Sequence, residues 1–435
     1  MPLELPKSRA QIAAIQSERK RVALAQAQRA PFYRGKLEHV NVDRLDDPEE
    51  WRRIPILDKE MLRALSDREF YESFCLSPPD GIAEYWRSGG ATGRPLFYPR
   101  SPTDIRYGVL SFARVFDCIG CGPGERVHDS FPLGIHPVGH VFARAAQSRG
   151  IAVNWAGAGT TTPSQLQLEL VDRLRPTVWM GMSSYGLHLA NLAEVAGVDL
   201  AASAVETVIC SAEPLSDAKR EKLGRAWGAR VRDTFGMTEA GMMGAEDATL
   251  EEKNRPDGGG FRIWTDMYFV EVVHPETHAP VAEGEVGALV VTPLWMNNVT
   301  PFLRWLSGDL VTLREADDGR GPFSVFPLVR HAHRTTGFFK VRGVNVGHAE
   351  FEDFMFRVPE VSDFKCEAVA TGGLDVLRVS IEVKRSAAPG AVAASLADAV
   401  KRSFEITPEV AVLETGTLAR EFEASVKAPR FADRR

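Results

Sequence analysis

The stretch QLQLELVDRLRPTVWMGM, residues 165–182, decides the fold. Over residues 165–174 its apolar positions recur at helical spacing, and over residues 177–182 they run on as in a buried strand. The same alternation continues outward. Residues 205–210 and 230–235 read as further strands separated by a helix over 216–227, and helical runs begin at about residue 107. Alternation over such a distance predicts an α/β domain with a largely parallel sheet. Towards the N-terminus, residues 8–30 carry Ile12, Ile15, Val22 and Leu24 at near-helical intervals and stop at Pro31, which predicts an amphipathic helix. After Gly258-Gly259-Gly260 the texture becomes strand-rich (268–274, 287–293, 310–314), a β-rich portion of the same large domain. The end of the chain reads strand (364–370), strand (377–384), helix (391–404) and strand (409–413), a small α+β domain. No fixed-period repeat interrupts this order.

Composition fits that reading. A chain of 435 residues exceeds the size at which one hydrophobic core stops growing, so a large and a small domain are expected. The 44% hydrophobic and 25% charged fractions are those of a globular enzyme. A net charge of -6, from 52 basic and 58 acidic residues interspersed, supplies no field for nucleic acid or an anionic membrane. No stretch approaches the ~20 apolar residues of a membrane span, and the start MPLELPKSRAQ has no apolar signal core, so a cytoplasmic location is expected. The five cysteines are an odd, scattered set, expected as reduced thiols. Cys118 and Cys121 have metal-ligand spacing but no second pair nearby, and Gly122-Pro123-Gly124 follows them as a loop, so a helix end is expected there.

Three short motifs carry chemistry. Ser88-Gly89-Gly90-Ala91-Thr92-Gly93-Arg94-Pro95 follows a strand over 84–87; its glycines let backbone N–H groups approach a polyphosphate, and its hydroxyls add donors. It is not the Walker pattern, and taken alone it reads as readily as a turn. Thr234-Phe235-Gly236-Met237-Thr238-Glu239 ends a strand, where a hydroxyl beside a carboxylate suits Mg²⁺ and a phosphate oxygen; an ordinary strand exit is the alternative. In Ser307-Gly308-Asp309-Leu310, an aspartate in a tight turn suits the two hydroxyls of a ribose.

Their order is more specific than any one of them. Cys210-Ser211-Ala212-Glu213-Pro214-Leu215-Ser216 lies between the first two, and Lys340-Val341-Arg342-Gly343-Val344-Asn345-Val346 follows the third. In this the chain resembles the phenylacetate-CoA ligase branch of the adenylate-forming acyl-CoA synthetases, from Pro31-Phe32-Tyr33 to Lys427-Ala428-Pro429-Arg430. The resemblance implies a nucleotide-binding large domain (1–333), a hinge (334–343) and a small C-terminal lid (344–435). It assigns phosphate binding to Ser88, Gly89, Gly90, Ala91, Thr92 and Gly93, with Arg94 where the family has lysine. Glu213 and Pro214 match the adenine-side segment, Asp233, Phe235 and Gly236 the nucleotide edge with phenylalanine in place of tyrosine, and Thr238 and Glu239 the catalytic pair, Glu239 meeting Mg²⁺ through ATP. Asp309 matches the ribose aspartate, Arg334 its companion, and Lys427 the lid lysine. The hinge has Thr336-Gly337 where the family has acidic residues, and Ser425-Val426 precede Lys427 without the usual glycine. Some relatives hold structural zinc with cysteines between the Thr-Glu motif and the ribose aspartate; this chain has no cysteine between Cys210 and Cys366, so no zinc is expected, and His274, His278, His331 and His333 read as surface or loop residues.

The implied reaction joins a carboxylate to ATP, two anions, so the site must supply cations and in-line positioning. The cofactors are ATP, Mg²⁺ and coenzyme A as co-substrate. The partner is a small carboxylic acid, with a homodimer suggested by the branch. The acyl pocket implied by the resemblance is lined by Phe131, His136, Gly139, His140, Ser184, Tyr185, Ala240 and Gly241, a small or aromatic set that suits an aryl or arylacetic acid. His136 and His140 read equally as loop histidines. Transfer to a carrier-protein thiol, an amine or a hydroxyl, and a non-catalytic nucleotide or acyl-CoA sensor, are the alternatives left open.

Overall fold

A computed structural model of the chain describes residues 3–88, 95–249, 259–315, 319–334, 338–342, 344–371, 374–424 and 430–435. Two compact units emerge, the first made of Met1–Gly124, Leu133–Ala152 and Arg232–Thr335, the second of Glu125–Pro132, Val153–Val231 and Thr336–Arg435.

The first unit opens with the expected helix, Arg9–Arg29, whose first turn is capped by the Ser8 hydroxyl accepting from Gln11 N–H. Its buried face, Ala23, Leu24 and Ala27 among others, packs into a cluster with Tyr33, Trp51, Phe70, Phe74, Tyr98 and Phe302. Each such large apolar side chain contributes about 1.5–3 kcal/mol by leaving water. Strands β1 (Glu84–Arg87) and β2 (Phe97–Arg100) pair antiparallel and frame residues 88–96. A helix over Pro102–Ile119 follows, closed at its start by a Ser101/Asp104 capping box and at its end by Gly120 at φ 84°. Cys118 and Cys121 lie buried at that helix end.

In the second unit, β3 (Arg126–Asp129), β4 (Ala152–Trp155), β5 (Val178–Gly181) and β6 (Thr207–Cys210) alternate with helices Ser164–Leu174, Ser183–Ala196 and Asp217–Trp227. Strands β3, β5 and β6 are parallel neighbours. Every residue of β5 and β6 is buried, which is why their sequences are unbroken apolar runs without alternation.

Strands β7 (Arg230–Met237), β8 (Gly241–Ala245), β9 (Phe261–Ile263), β10 (Tyr268–Val273), β11 (Gly287–Pro293), β12 (Trp305–Arg314) and β13 (Leu328–Arg334) lie in the order β10-β11-β12-β13-β9-β8-β7. Their pairings are all antiparallel. β8 and β9 join these strands to β7, so the region is the β-rich portion that the sequence predicts.

The C-terminal residues form the small α+β body expected of them. A hairpin of β14 (Phe338–Val341) and β15 (Val344–Gly347) leads to helix His348–Phe356 and a sheet of β16 (Val361–Thr371), β17 (Leu374–Val383), β18 (Glu409–Leu413) and β19 (Phe431–Asp433), in the order β18-β17-β16-β19. Phe351, Phe364, Phe404 and Phe431 supply its aromatic core. Among the described residues no helix is long and apolar enough to cross a membrane.

Candidate active site

Thr238 and Glu239 occupy the turn of the β7–β8 hairpin. Glycine is required here by close approach: a Cβ on Gly236 would stand 2.6 Å from the Gly241 carbonyl oxygen, and Gly241 itself has φ +90°. The turn is held from beneath by β2. Arg100, fully buried, donates to the carbonyl oxygens of Thr238 at 2.7 Å and Glu239 at 2.8 Å, and also to Met296 O and Thr300 Oγ1. Two residues earlier on the same strand, the Tyr98 hydroxyl donates to Glu239 Oε1 at 2.9 Å. Burial and the Glu239 charge both push the Tyr98 hydroxyl above its ordinary pKa, so it remains a donor. Lys59 Nζ lies 3.9 Å from the same carboxylate.

Ser88, the first residue of the glycine- and hydroxyl-rich segment, is tied to Leu96. Its N–H donates to Leu96 O at 2.8 Å, and its hydroxyl accepts from Leu96 N–H at 2.9 Å. Leu96 leads directly into β2, so the loop base and the Thr-Glu turn share one strand as support. Gly89, Gly90, Ala91, Thr92, Gly93 and Arg94 lie outside the described residues, as do Thr336, Gly337 and Lys427.

Asp309 is not in a tight turn. It lies inside β12, in register with Arg334 at the end of β13, with Gly308 beside it at φ +82° supplying the turn-like appearance. His331 is likewise not a loop residue: it is in β13, with Nε2 3.3 Å from Asp309 Oδ1. His333 is a strand residue as well, paired with Leu310. The Phe235 ring stacks on Phe261 at 5.5 Å and faces His331 at 6.2 Å. Asp233 and Thr234 are buried in β7, where the Asp233 carboxylate accepts from Thr234 N–H at 2.8 Å and the Asp233 N–H donates to Glu246.

Glu213, in the second unit, sits as an anion on the N-terminus of helix Ser183–Ala196. It accepts from the Ser183 hydroxyl, from the Ser184 N–H and from the Ser184 hydroxyl at 2.8 Å, and pairs with Lys219 at 3.3 Å. Burial alone would raise its pKa, but the Lys219 charge and the serine donors outweigh this and hold it below the carboxylate range. The preceding Ala212 has φ 69°, a left-handed conformation unusual for a residue with a Cβ, and Pro214 is exposed after it.

The expected acyl-pocket residues have varied surroundings. In the second unit, Phe131 is fully buried and its N–H donates to Asp129 at 3.0 Å. Ser184 is committed to Glu213. Tyr185 is buried, its hydroxyl shared between Ser164 at 2.7 Å and Gln167 at 2.8 Å. Gln167 also meets His128 and Ser130, and burial depresses the His128 pKa to about 4. In the first unit, His136 precedes helix Pro137–Ser148, in which Gly139 is buried and His140 is linked to Gly134 O at 3.1 Å. Ala240 and Gly241 follow the Thr-Glu turn.

Four residues that matter here were missed in the sequence: Tyr98, Arg100, Lys219 and His331. The only available signal was charge or a hydroxyl inside apolar or strand-like surroundings, as at Arg100 after Phe97-Tyr98-Pro99. Among the described residues no group of three or more His, Cys, Asp or Glu side chains could hold a metal. A lone carboxylate such as Glu239 still suits Mg²⁺, which takes one or two protein carboxylates and completes its shell with phosphate and water.

A hydroxyl–carboxylate turn and an aspartate–histidine edge on one sheet, in a chain that also carries a glycine- and hydroxyl-rich segment, fit a nucleotide-dependent enzyme of the adenylate-forming class. The chain belongs to the AMP-binding enzyme family: residues 36–296, more than half its length, match that family, and residues 343–435 match the AMP-binding enzyme C-terminal domain. It is an AMP-forming acid–thiol ligase. It is similar to the phenylacetate-coenzyme A ligase of Thermus thermophilus, 29% identical over 86% of this chain and 82% of that one. It is also similar to the phenylacetate-coenzyme A ligase of Escherichia coli, 26% identical over 94% and 92%. In fold it matches a crystal structure of 2-hydroxyisobutyryl-CoA ligase bound to an acyl-AMP, with TM-score 0.84 and 22% identity over 98% of this chain and 90% of that one.

Proposed function

We propose that the protein activates an aromatic carboxylic acid, aryl or arylacetic, as its acyl-AMP and passes the acyl group to the thiol of coenzyme A, using ATP and Mg²⁺. The observation that carries this reading is the clamp of Arg100 and Tyr98 on the Thr238–Glu239 turn. It fixes a hydroxyl and a carboxylate before any substrate arrives, which is what a step governed by electrostatic preorganisation requires.

In the first half-reaction the substrate carboxylate attacks the α-phosphorus of ATP and pyrophosphate departs. Ser88 and the loop to Gly93 hold the departing phosphates. Asp309 accepts the ribose hydroxyls, with Arg334 beside it in register. Phe235 and Gly236 take the nucleotide-edge role in the first unit, and Glu213 and Pro214 the adenine-side role in the second. Glu239 is the residue that would hold Mg²⁺, and the ion would supply positive charge to offset that of the phosphate oxygens. Lys427, on the C-terminal lid of residues 344–435, supplies the cation between carboxylate and phosphate. Movement about the hinge at Thr336 and Gly337 then withdraws Lys427, and the thiol attacks the carbonyl carbon with AMP as leaving group. The choice of acid is assigned to His136, Gly139, His140, Ala240 and Gly241 in the first unit and to Phe131, Ser184 and Tyr185 in the second. Small residues and flat rings favour a planar acyl group.

The test is pyrophosphate release with ATP, Mg²⁺ and a panel of benzoates, aminobenzoates, hydroxybenzoates and phenylacetates, set beside short aliphatic acids, with and without CoA. CoA-dependent turnover that yields an aryl-CoA is the expected result. Turnover with aliphatic acids alone would overturn the substrate class, and release unaffected by CoA would overturn the acceptor.

A further inference from the structure

The second unit holds a chain of buried charges that the reaction above leaves unassigned. Lys219, on helix Asp217–Trp227 and 1% exposed at its side chain, lies between two carboxylates, its Nζ 3.3 Å from Glu213 and 3.3 Å from Glu352. Glu213 belongs to the Ala-Glu-Pro segment, whereas Glu352 is on helix His348–Phe356, in the C-terminal residues. Glu352 in turn stands 3.7 Å from Arg430 Nε, and Arg430 pairs with Asp363 and donates to Phe364 O at 3.0 Å. Arg430 is three residues beyond Lys427 in the sequence. Further hydrogen bonds join the same two faces. Lys222 donates to Ser362 O at 2.9 Å, Asn191 to Ser362 O at 3.2 Å, and Ala218 N–H to Asp353 at 3.3 Å.

We propose that Lys219 is a positioning residue that holds the C-terminal segment where the first half-reaction needs it, by sharing its charge between Glu213 on the nucleotide side and Glu352 on the lysine-bearing side. The inference rests on the function proposed above. Its physical basis is the second partner that each carboxylate owns. If the C-terminal segment leaves, Glu213 keeps Lys219 and the serine donors at the helix N-terminus, and Glu352 keeps Arg430. Separation therefore strands no unpaired buried charge, the outcome that makes most buried ion pairs costly to break. The Lys219–Glu352 contact, a few hydrogen bonds and the packing of Phe356 against Lys219 and Lys222 are exchanged for water. Such a contact fixes one arrangement and still releases it, as a two-step enzyme requires.

The test uses the full chain and two variants, Glu352→Gln, which leaves the Glu213 cap intact, and Lys219→Met. Acid-dependent ATP–pyrophosphate exchange reads the first half-reaction, and thioester formation from purified acyl-AMP and CoA reads the second. We expect exchange to fall at least tenfold in both variants while thioester formation stays within twofold of the parent. Hydrogen exchange of peptides from residues 344–371 should accelerate in both, with peptides from 178–196 unchanged in Glu352→Gln. Equal losses in the two half-reactions would overturn the positioning role in favour of a purely structural one. Unchanged protection of 344–371 in both variants would overturn the contact itself, and this arm decides even if the parent activates no acid, a result that would count against the proposed function alone.

Discussion

Arg100 offers a direct check on the clamp. Replacing it with methionine keeps the aliphatic stem and removes a guanidinium that donates to Thr238 O, Glu239 O, Met296 O and Thr300 Oγ1 at 2.7, 2.8, 3.2 and 3.0 Å. Three buried carbonyls lose their charged donor, at roughly 1–2 kcal/mol each once some relaxation is allowed, so the variant should lose about 3–5 kcal/mol of stability. Trp86 lies under the guanidinium, 4.9 Å from ring centroid to Arg100 Cζ, and its emission in a urea titration reports the unfolding of this region directly. Catalysis should suffer separately. A turn that shifts by about 1 Å displaces Thr238 and Glu239 from the phosphates and costs on the order of 100-fold in pyrophosphate release. Arg100→Lys, with charge but no fork, should fall between parent and methionine variant in both assays. A methionine variant within ~1 kcal/mol of the parent and equally active would refute the view that these four bonds hold the turn.

Glu239→Gln should keep the fold and the Tyr98 contact but lower acid-dependent pyrophosphate release at least about 100-fold, with partial recovery at high Mg²⁺, checked by steady-state kinetics across a magnesium series. Arg114 and Asp266 form a buried two-bond pair at 2.7 and 2.8 Å, so Asp266→Ala, which leaves an unpaired buried guanidinium, should cost about 3–5 kcal/mol in urea unfolding. His128 is buried, and its pKa is depressed from 6.5 to about 4 by burial, with the Gln167 bond opposing. The unfolded chain then binds more protons between those values. Stability should thus be full above pH 6.5 and fall by roughly 3 kcal/mol as pH drops towards 4, a slope that His128→Gln should flatten in pH-dependent melting curves.

Much of the fold was legible because burial writes itself into local pattern. Residues 177–182 read as a strand through unbroken apolarity, and β5 is buried throughout. The helix over 216–227 read from its place between two strands of the alternating pattern, and Ser216 caps it as Ser/Thr residues before a helix do. The order of the site motifs was legible for another reason: short glycine- and hydroxyl-rich segments stay recognisable by residue type. What escaped was anything fixed by contacts between distant segments. Ser307-Gly308-Asp309 is turn-like locally, and only the register with β13 shows that the strand runs through it. His331 was read as a loop residue because polar side chains within a strand look like a loop when their partner, 22 residues away, is unknown. Arg100 bridges 138 to 200 residues of sequence, and no local periodicity encodes such a span.

The two buried cations missed in the sequence also show how partner chemistry separates a fixed support from a releasable one. Arg100 hydrogen-bonds only carbonyl and hydroxyl oxygens, all belonging to the first unit. None of those acceptors has a competing charged partner to retreat to, and losing the donor leaves them buried and unpaired. That is the energetic profile of a strut, suited to a turn that must not move between substrate binding and chemistry. Lys219 bonds two carboxylates, each with another donor or cation of its own. Either carboxylate can depart with its charge still compensated, so the same kind of buried cation becomes a contact that opens at modest cost. A rigid Thr238–Glu239 turn together with a reversible Glu213–Lys219–Glu352 contact is the combination an enzyme needs when one site stays fixed while a second segment changes place between two chemical steps.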